Sequence, residues 1–148
     1  MANLSSYLPD GIDESSVQIT GGTINGTTIG ASTPSTGVFT TAVASTETDT
    51  SNTGSVTLDF SADQNFVLTL TGNVTLANPT TEIVGQSGFI VFIQDGTGGR
   101  TVSLGTDYET ASGAGLTLSS AASTTDIVPY VVAASGRILL GAPQLAFS

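Results

Sequence analysis

The sequence predicts an all-β chain, with an extended N-terminal arm followed by a small antiparallel β-sandwich of jelly-roll type. Three observations lead there. Apolar residues alternate with polar ones, as in Val56, Leu58 and Phe60 and again in Phe66, Leu68 and Leu70, which is the period of a strand buried on one face. Eighteen glycines in 148 residues, with Thr and Ser throughout, supply tight turns and β-branched strand residues. No stretch carries the 3.6-residue period of an amphipathic helix. A mean hydropathy of +0.27 with 9% charged residues sets the chain apart from disordered sequences, which combine low hydrophobicity with high charge.

Residues 1–41 read as the arm. Tyr7 and Leu8 can anchor its start, Leu8-Pro9 favours extended backbone, and Asp10-Gly11 favours a turn. Ile19, Ile24 and Ile29 then recur every five residues, with glycine between them. Five matches neither helix nor strand periodicity, but it fits a very short strand and a Gly turn, repeated. One isoleucine per unit cannot offset the entropy of ordering the backbone, so the segment needs a second surface. Phe39 closes the arm. Residues 42–54 are small, polar and acidic, and are expected to form a linker.

The knob is expected over residues 55–148. Val56–Phe60 and Phe66–Thr71 read as strands, Gly72-Asn73 as a turn, and Val74–Leu76 as a third strand that Asn78-Pro79 stops. Phe89-Ile90-Val91-Phe92-Ile93 is apolar on both faces, which predicts a central strand buried on both sides. Asp95–Gly99 reads as a hairpin turn, with Arg100–Leu104 returning. Residues 105–125 read as a long loop, broken by a short strand at Leu116-Thr117-Leu118. Asp126–Val132 is a strand in which Pro129, lacking an N–H, marks an edge or a bulge. Arg137–Leu140 pairs back, and Phe147 suggests a docked tail. The total is about seven short strands, the count of a sandwich or jelly roll.

Composition also bounds chemistry. There are twelve acidic residues, two arginines, no lysine, no histidine and no cysteine, for a net charge of −10. Two cations cannot neutralise a phosphate backbone, so no nucleic-acid partner is expected, and an anionic membrane is disfavoured for the same reason. Missing His and Cys remove the usual general base, thiolate nucleophile and transition-metal ligands. No secretory signal is read at Met1–Leu4, and no apolar run is long enough for a helical membrane span. An enzyme is not expected, and neither are a catalytic residue, a cofactor or a resident metal. Asp107 with Glu109, or Asp59 with Asp63, could in principle serve as a glycosidase pair, yet solvated turn acids are far commoner and no Trp is present to build a sugar cleft. Asp95, Asp107, Glu109 and Asp126 could converge on calcium, although no spacing matches a known loop. The Gly-rich run at Asp95–Gly99 lies between strands rather than before a helix, which argues against a phosphate loop. Arg100 and Arg137 each open a returning strand. They either pair with a nearby acid such as Asp95 or Asp126, or stand at an interface facing an acidic partner.

Two stretches resemble tailed-phage virion proteins. One is Gln18-Ile19-Thr20-Gly21-Gly22-Thr23-Ile24-Asn25-Gly26-Thr27-Thr28-Ile29-Gly30, continuing to Thr41. The other runs from Leu58 to Gly141 and includes Phe66-Val67-Leu68-Thr69-Leu70-Thr71-Gly72-Asn73-Val74-Thr75-Leu76 and Gln94-Asp95-Gly96-Thr97-Gly98-Gly99-Arg100. The resemblance is to tail fibres, head fibres and capsid decoration proteins. It implies a homotrimeric virion structural protein joined to the particle by its N-terminal segment, with Tyr7, Leu8, Ile19, Ile24, Ile29 and Phe39 at the capsid or trimer interface. The small knob suits a decoration (cement) protein or short head fibre bound to the major capsid protein on the capsid exterior. The alternative is a tail-fibre or baseplate protein that binds the host surface.

Overall fold

The computed structural model describes residues 40–148, of which Thr41–Ser148 form one unit. The arm residues Tyr7, Leu8, Ile19, Ile24, Ile29 and Phe39, and the pentad expectation built on them, lie outside the described residues.

Eight strands follow in chain order: β1 Thr46–Val56, β2 Asn65–Leu76, β3 Ser87–Gln94, β4 Val102–Leu104, β5 Tyr108–Glu109, β6 Thr125–Ala134, β7 Arg137–Leu140 and β8 Gln144–Phe147. A 3-10 turn at Ala111–Gly113 is the one helical piece among the described residues. The all-β class holds, although residues 116–118 form no strand and the expected loop instead contains β5. The strands belong to one curled, mixed sheet ordered β1-β2-β3-β6-β7-β5, with β4 also on β2 and β8 also on β6.

The antiparallel expectation holds around β6, which pairs antiparallel with β3, β7 and β8. It does not hold around β2, which pairs parallel with β1, β3 and β4. The cause lies in two long strands whose partners are interrupted. β1 occupies one edge of β2; on the other edge β3 covers Phe66–Leu70 and β4 covers Val74–Leu76. The chain from Asp95 to Thr101 is therefore an excursion between two collinear strands, and the expected hairpin return is absent. Gly72-Asn73 likewise makes no turn; β2 runs straight through, with Asn73 Oδ1 accepting the Thr101 N–H at 3.1 Å.

The same device recurs at β6. Its far edge carries β7 opposite Tyr130–Ala134 and β8 opposite Thr125–Ile127. Pro129 sits in this central strand rather than at an edge. Its carbonyl accepts the Gly141 N–H at 2.9 Å, so its missing donor faces the gap between β7 and β8, where no ladder bond is lost. The curl then closes through residues 105–107: the Gly105 N–H donates to the Leu76 carbonyl and the Ile138 N–H to the Asp107 carbonyl, both at 2.7 Å.

The stretch 42–54 is not a linker, because β1 starts at Thr46. Its polarity misleads: β1 is an edge strand in which Asn52 alone is buried. That side chain donates to the Asp49 and Thr69 carbonyls, filling the irregular register of the β1–β2 pair. The expected strand at Val56–Phe60 ends at Val56, yet Leu58 and Phe60 are still buried.

Inward alternation builds the core. Phe66, Leu68, Leu70, Val74 and Leu76 come from β2, Ile90 and Phe92 from β3, and Val128, Tyr130 and Val132 from β6. Phe60 packs 5.0 Å from Phe66 and edge-on at 5.2 Å from Tyr130, whose hydroxyl donates to the Gln64 carbonyl at 2.6 Å. Phe89 is 49% exposed, so the expected burial of β3 on both faces is met on one face only within a single chain.

Gly88 lies where β3 crosses this cluster, and a Cβ there would press into the Gln64 backbone carbonyl. Gly96 has no atom within 4 Å of the same position. Gly88→Ala is therefore expected to destabilise the unit by about 1–3 kcal/mol, and Gly96→Ala to change stability by less than about 1 kcal/mol, in urea unfolding of each variant.

Candidate functional site

The polar residues gather at the two interruptions. At the end of β3, Gln94 lies at an inward position in phase with Ile90 and Phe92, and is 3% exposed. Its amide replaces a missing ladder partner: Oε1 accepts the Arg100 N–H and Nε2 donates to the Arg100 carbonyl, both at 2.9 Å. Asp95 shapes the excursion. Oδ1 accepts the N–H groups of Thr97 (3.0 Å) and Gly98 (2.8 Å), and Oδ2 accepts from Arg100 Nη2 at 2.8 Å and Nε at 3.2 Å. Gly98 has positive φ and packs against the backbone of residues 120–122, an approach that a side chain would block. The Gly99 N–H donates to the Ser120 carbonyl, which fastens the excursion to the loop before β6.

Asp126, the second residue of β6, lies at an inward position and is 2% exposed. Its carboxylate accepts the Ser119 N–H (2.6 Å), the Ser119 hydroxyl (2.7 Å) and the Ala146 N–H (2.8 Å), pinning the long loop and β8 to one point. A buried carboxylate needs such donors; here they come from two segments that have little other regular pairing. The C-terminal tail is docked as β8.

Both arginines are engaged within the chain. Arg100 pairs with Asp95, one of the two acids expected for it. Arg137 pairs with Glu109 instead of Asp126, with Nε–Oε1 at 2.8 Å and Nη2–Oε2 at 3.1 Å, on an exposed surface.

The acids considered for catalysis and calcium do not converge. Asp95 and Glu109 go to separate arginines, Asp126 to Ser119 and Ala146, and Asp59 caps its own turn through Ser61. Among the described residues no three of His, Cys, Asp and Glu are grouped as a metal site would require. A cleft of about 580 Å³ runs between β4, β5 and the following loop; Glu109 is its one carboxylate, and that is held by Arg137. The cleft has no second acid for a glycosidase pair.

Sequence reasoning missed the roles of Gln94 and Asp126. The signal was present: both continue the period-2 inward series of their strands, so each is a polar residue in a core position that must find partners.

The geometry describes an all-β module whose polar chemistry braces its own loops. A family model described as "Putative phage tail fibre C-terminal domain" matches residues 50–137, from the middle of β1 to the first residue of β7. The match covers more than half of the chain, and the chain belongs to that family. It is a phage structural protein of the virion surface. No curated protein and no solved structure matches the chain. The family supports the tail-fibre alternative better than the leading expectation, and nothing in it points to capsid decoration, a cement role or a head fibre.

The Asp95 carboxyl is held at about 2, well below the ordinary carboxylate value, first by the Arg100 side chain and then by the Gly98 and Thr97 N–H groups. A depressed folded-state value means that the pairing stabilises the fold above the unfolded carboxyl's value, about pH 4, and that this contribution is lost as pH falls toward 2. Arg100→Ala should therefore lower the thermal midpoint at pH 5–7, with the gap from the unmodified chain narrowing steadily as melts are repeated down to pH 2.

Proposed function

We propose that the chain is a phage tail-fibre or baseplate protein that contacts the host surface, in which residues 41–148 form a terminal non-enzymatic module and the N-terminal residues join it to the rest of the tail. The family match across β1–β7 carries this reading. Two features of the fold support it. Loops at the strand interruptions are fixed by Asp95, Gln94 and Asp126 rather than by flexible contacts, so they can present a defined surface. The candidate acids are consumed by turns and ion pairs, which fits a binding role better than hydrolysis.

The reading includes a homotrimer. An acidic chain with both arginines paired internally has no free cation among its described residues to draw a partner electrostatically. Its affinity for a host surface must come from shape, hydrogen bonding and repetition of weak contacts. Three copies around one axis multiply such contacts through effective concentration.

Gold-labelled antibody against residues 41–148, applied to intact virions, is expected to mark a few sites at the tail. A dense array over the head would overturn the tail reading in favour of decoration. Incubation of the purified chain with host polysaccharide is expected to leave the reducing-end count unchanged, and a rise would overturn the non-enzymatic reading.

A further inference from the structure

The inner face of the sheet is finished within the chain, but its outer face is not. Outward positions of β2, β3 and β6 meet in rows set by the register. Val67 lies beside Val91 and Val91 beside Ile127; Phe89 lies beside Pro129, and Val131 beside Leu139 of β7. Phe89 is 49% exposed and Val131 39%, both large apolar side chains in the middle of ordered strands rather than at loop tips. No outward position on β2, β3 or β6 carries a charge: the remaining ones are Ile93, Ala133 and residues of Asn, Thr and Ser. The first charged groups are met at the rim, where Arg137 and Glu109 pair beside Leu139.

We propose that this face is where copies of the chain meet, with Phe89, Val91, Ile127 and Val131 at the centre of the contact. The inference deepens the homo-oligomeric part of the reading above and rests on it. The argument for a second copy is electrostatic. The chain carries a net charge of −10, so two copies repel wherever carboxylates come face to face. The described acids lie on β1, in the turns and loops, on β5 or, for Asp126, inside the fold. Among the described residues, the outer face of β2, β3 and β6 offers like copies an approach without opposing carboxylates. A basic partner would be drawn to the acids and away from this face.

The dimensions agree with the centre of an interface. Strand spacing and rise give a patch about 15 Å across and about 20 Å along the strands. That is less than the roughly 800 Å² per partner of a standard interface, and it leaves a surrounding rim of Asn, Thr, Ser and the Arg137–Glu109 pair. An apolar centre with such a rim is the usual anatomy of a specific contact. The sequence alone carried this signal: Phe89-Ile90-Val91-Phe92-Ile93 is apolar on both faces, and a single chain covers only one of them.

The test is the mass of the full chain in sedimentation equilibrium, before and after Phe89→Glu and, separately, Val131→Glu, with Thr117→Glu on an exposed loop as control. The unmodified chain and the Thr117 variant are expected to show an oligomer. Both face variants are expected to show the monomer mass at the same concentration, an apparent dissociation constant raised at least 100-fold, with unchanged circular dichroism. Cysteine labelling keeps the test decisive if a charged variant misfolds. The chain has no cysteine, so Phe89→Cys and Thr117→Cys each place one thiol. In the oligomer the thiol at 89 should react with maleimide at least 10-fold more slowly than that at 117. A trimer that ignores the face variants, with a freely reactive thiol at 89, overturns this face and leaves the trimer standing. A monomer in the unmodified chain overturns both. Tail labelling of virions reports on the tail reading independently of either result.

Discussion

The structure depends on the period-2 alternation of β2, held over a strand long enough to serve two neighbours on one edge. Every second residue from Phe66 to Leu70, then Val74 and Leu76, points into the core, so the register of β2 fixes which face of every adjoining strand is buried. A slip of one residue would turn Phe66, Leu68 and Leu70 outward together. From this strand the sheet curls until residues 105–107 tie its end to β7, and the inner residues become a single cluster. What would otherwise take two packed sheets is done by one sheet bent on itself.

The interruptions are where the fold meets its function. A strand broken into β3 and β4, or into β7 and β8, exposes unpaired backbone groups at the break, and these must be satisfied. Gln94 does so at the break between β3 and β4, where Asp95 organises the excursion; Gly141 donates to the Pro129 carbonyl at the other break, and Asp126 satisfies the Ala146 N–H in the register shift between β6 and β8. The price of rigid loops is thus a pair of buried polar side chains in an otherwise apolar interior. The result is a module with defined loops and no unpaired arginine among its described residues.

The strand class was legible because alternation is a local signal: Phe66-Leu68-Leu70, Ile90-Phe92 and Val128-Tyr130-Val132 appear in the letters as they appear in the core. Pairing was not. Whether residues 100–104 return along β3 or continue along β2 depends on a contact between Val74 and Val102, far apart in sequence, and Asp95–Gly99 looks the same in either case. Polar edge strands mislead in another way. The Thr, Ser and Asp of residues 46–54 resemble a linker because an edge strand need bury almost nothing, and Asn52 alone marks the ladder. Of the site, Arg100 and its acid Asp95 could be read from spacing. Arg137 could not be matched with Glu109, since parallel pairing of β5 with β7 brings them together. The outer face was visible as a two-sided apolar strand, of which one chain buries only the inner side.

The central claim is that the sheet completes its inner face alone and its outer face with neighbours. The dependence of the thermal midpoint on protein concentration tests it most directly, because a fold whose exposed face is closed by other copies gains stability by mass action. The account predicts a reversible midpoint that rises steadily as the full chain is concentrated over two orders of magnitude. A midpoint that stays constant across that range would contradict it.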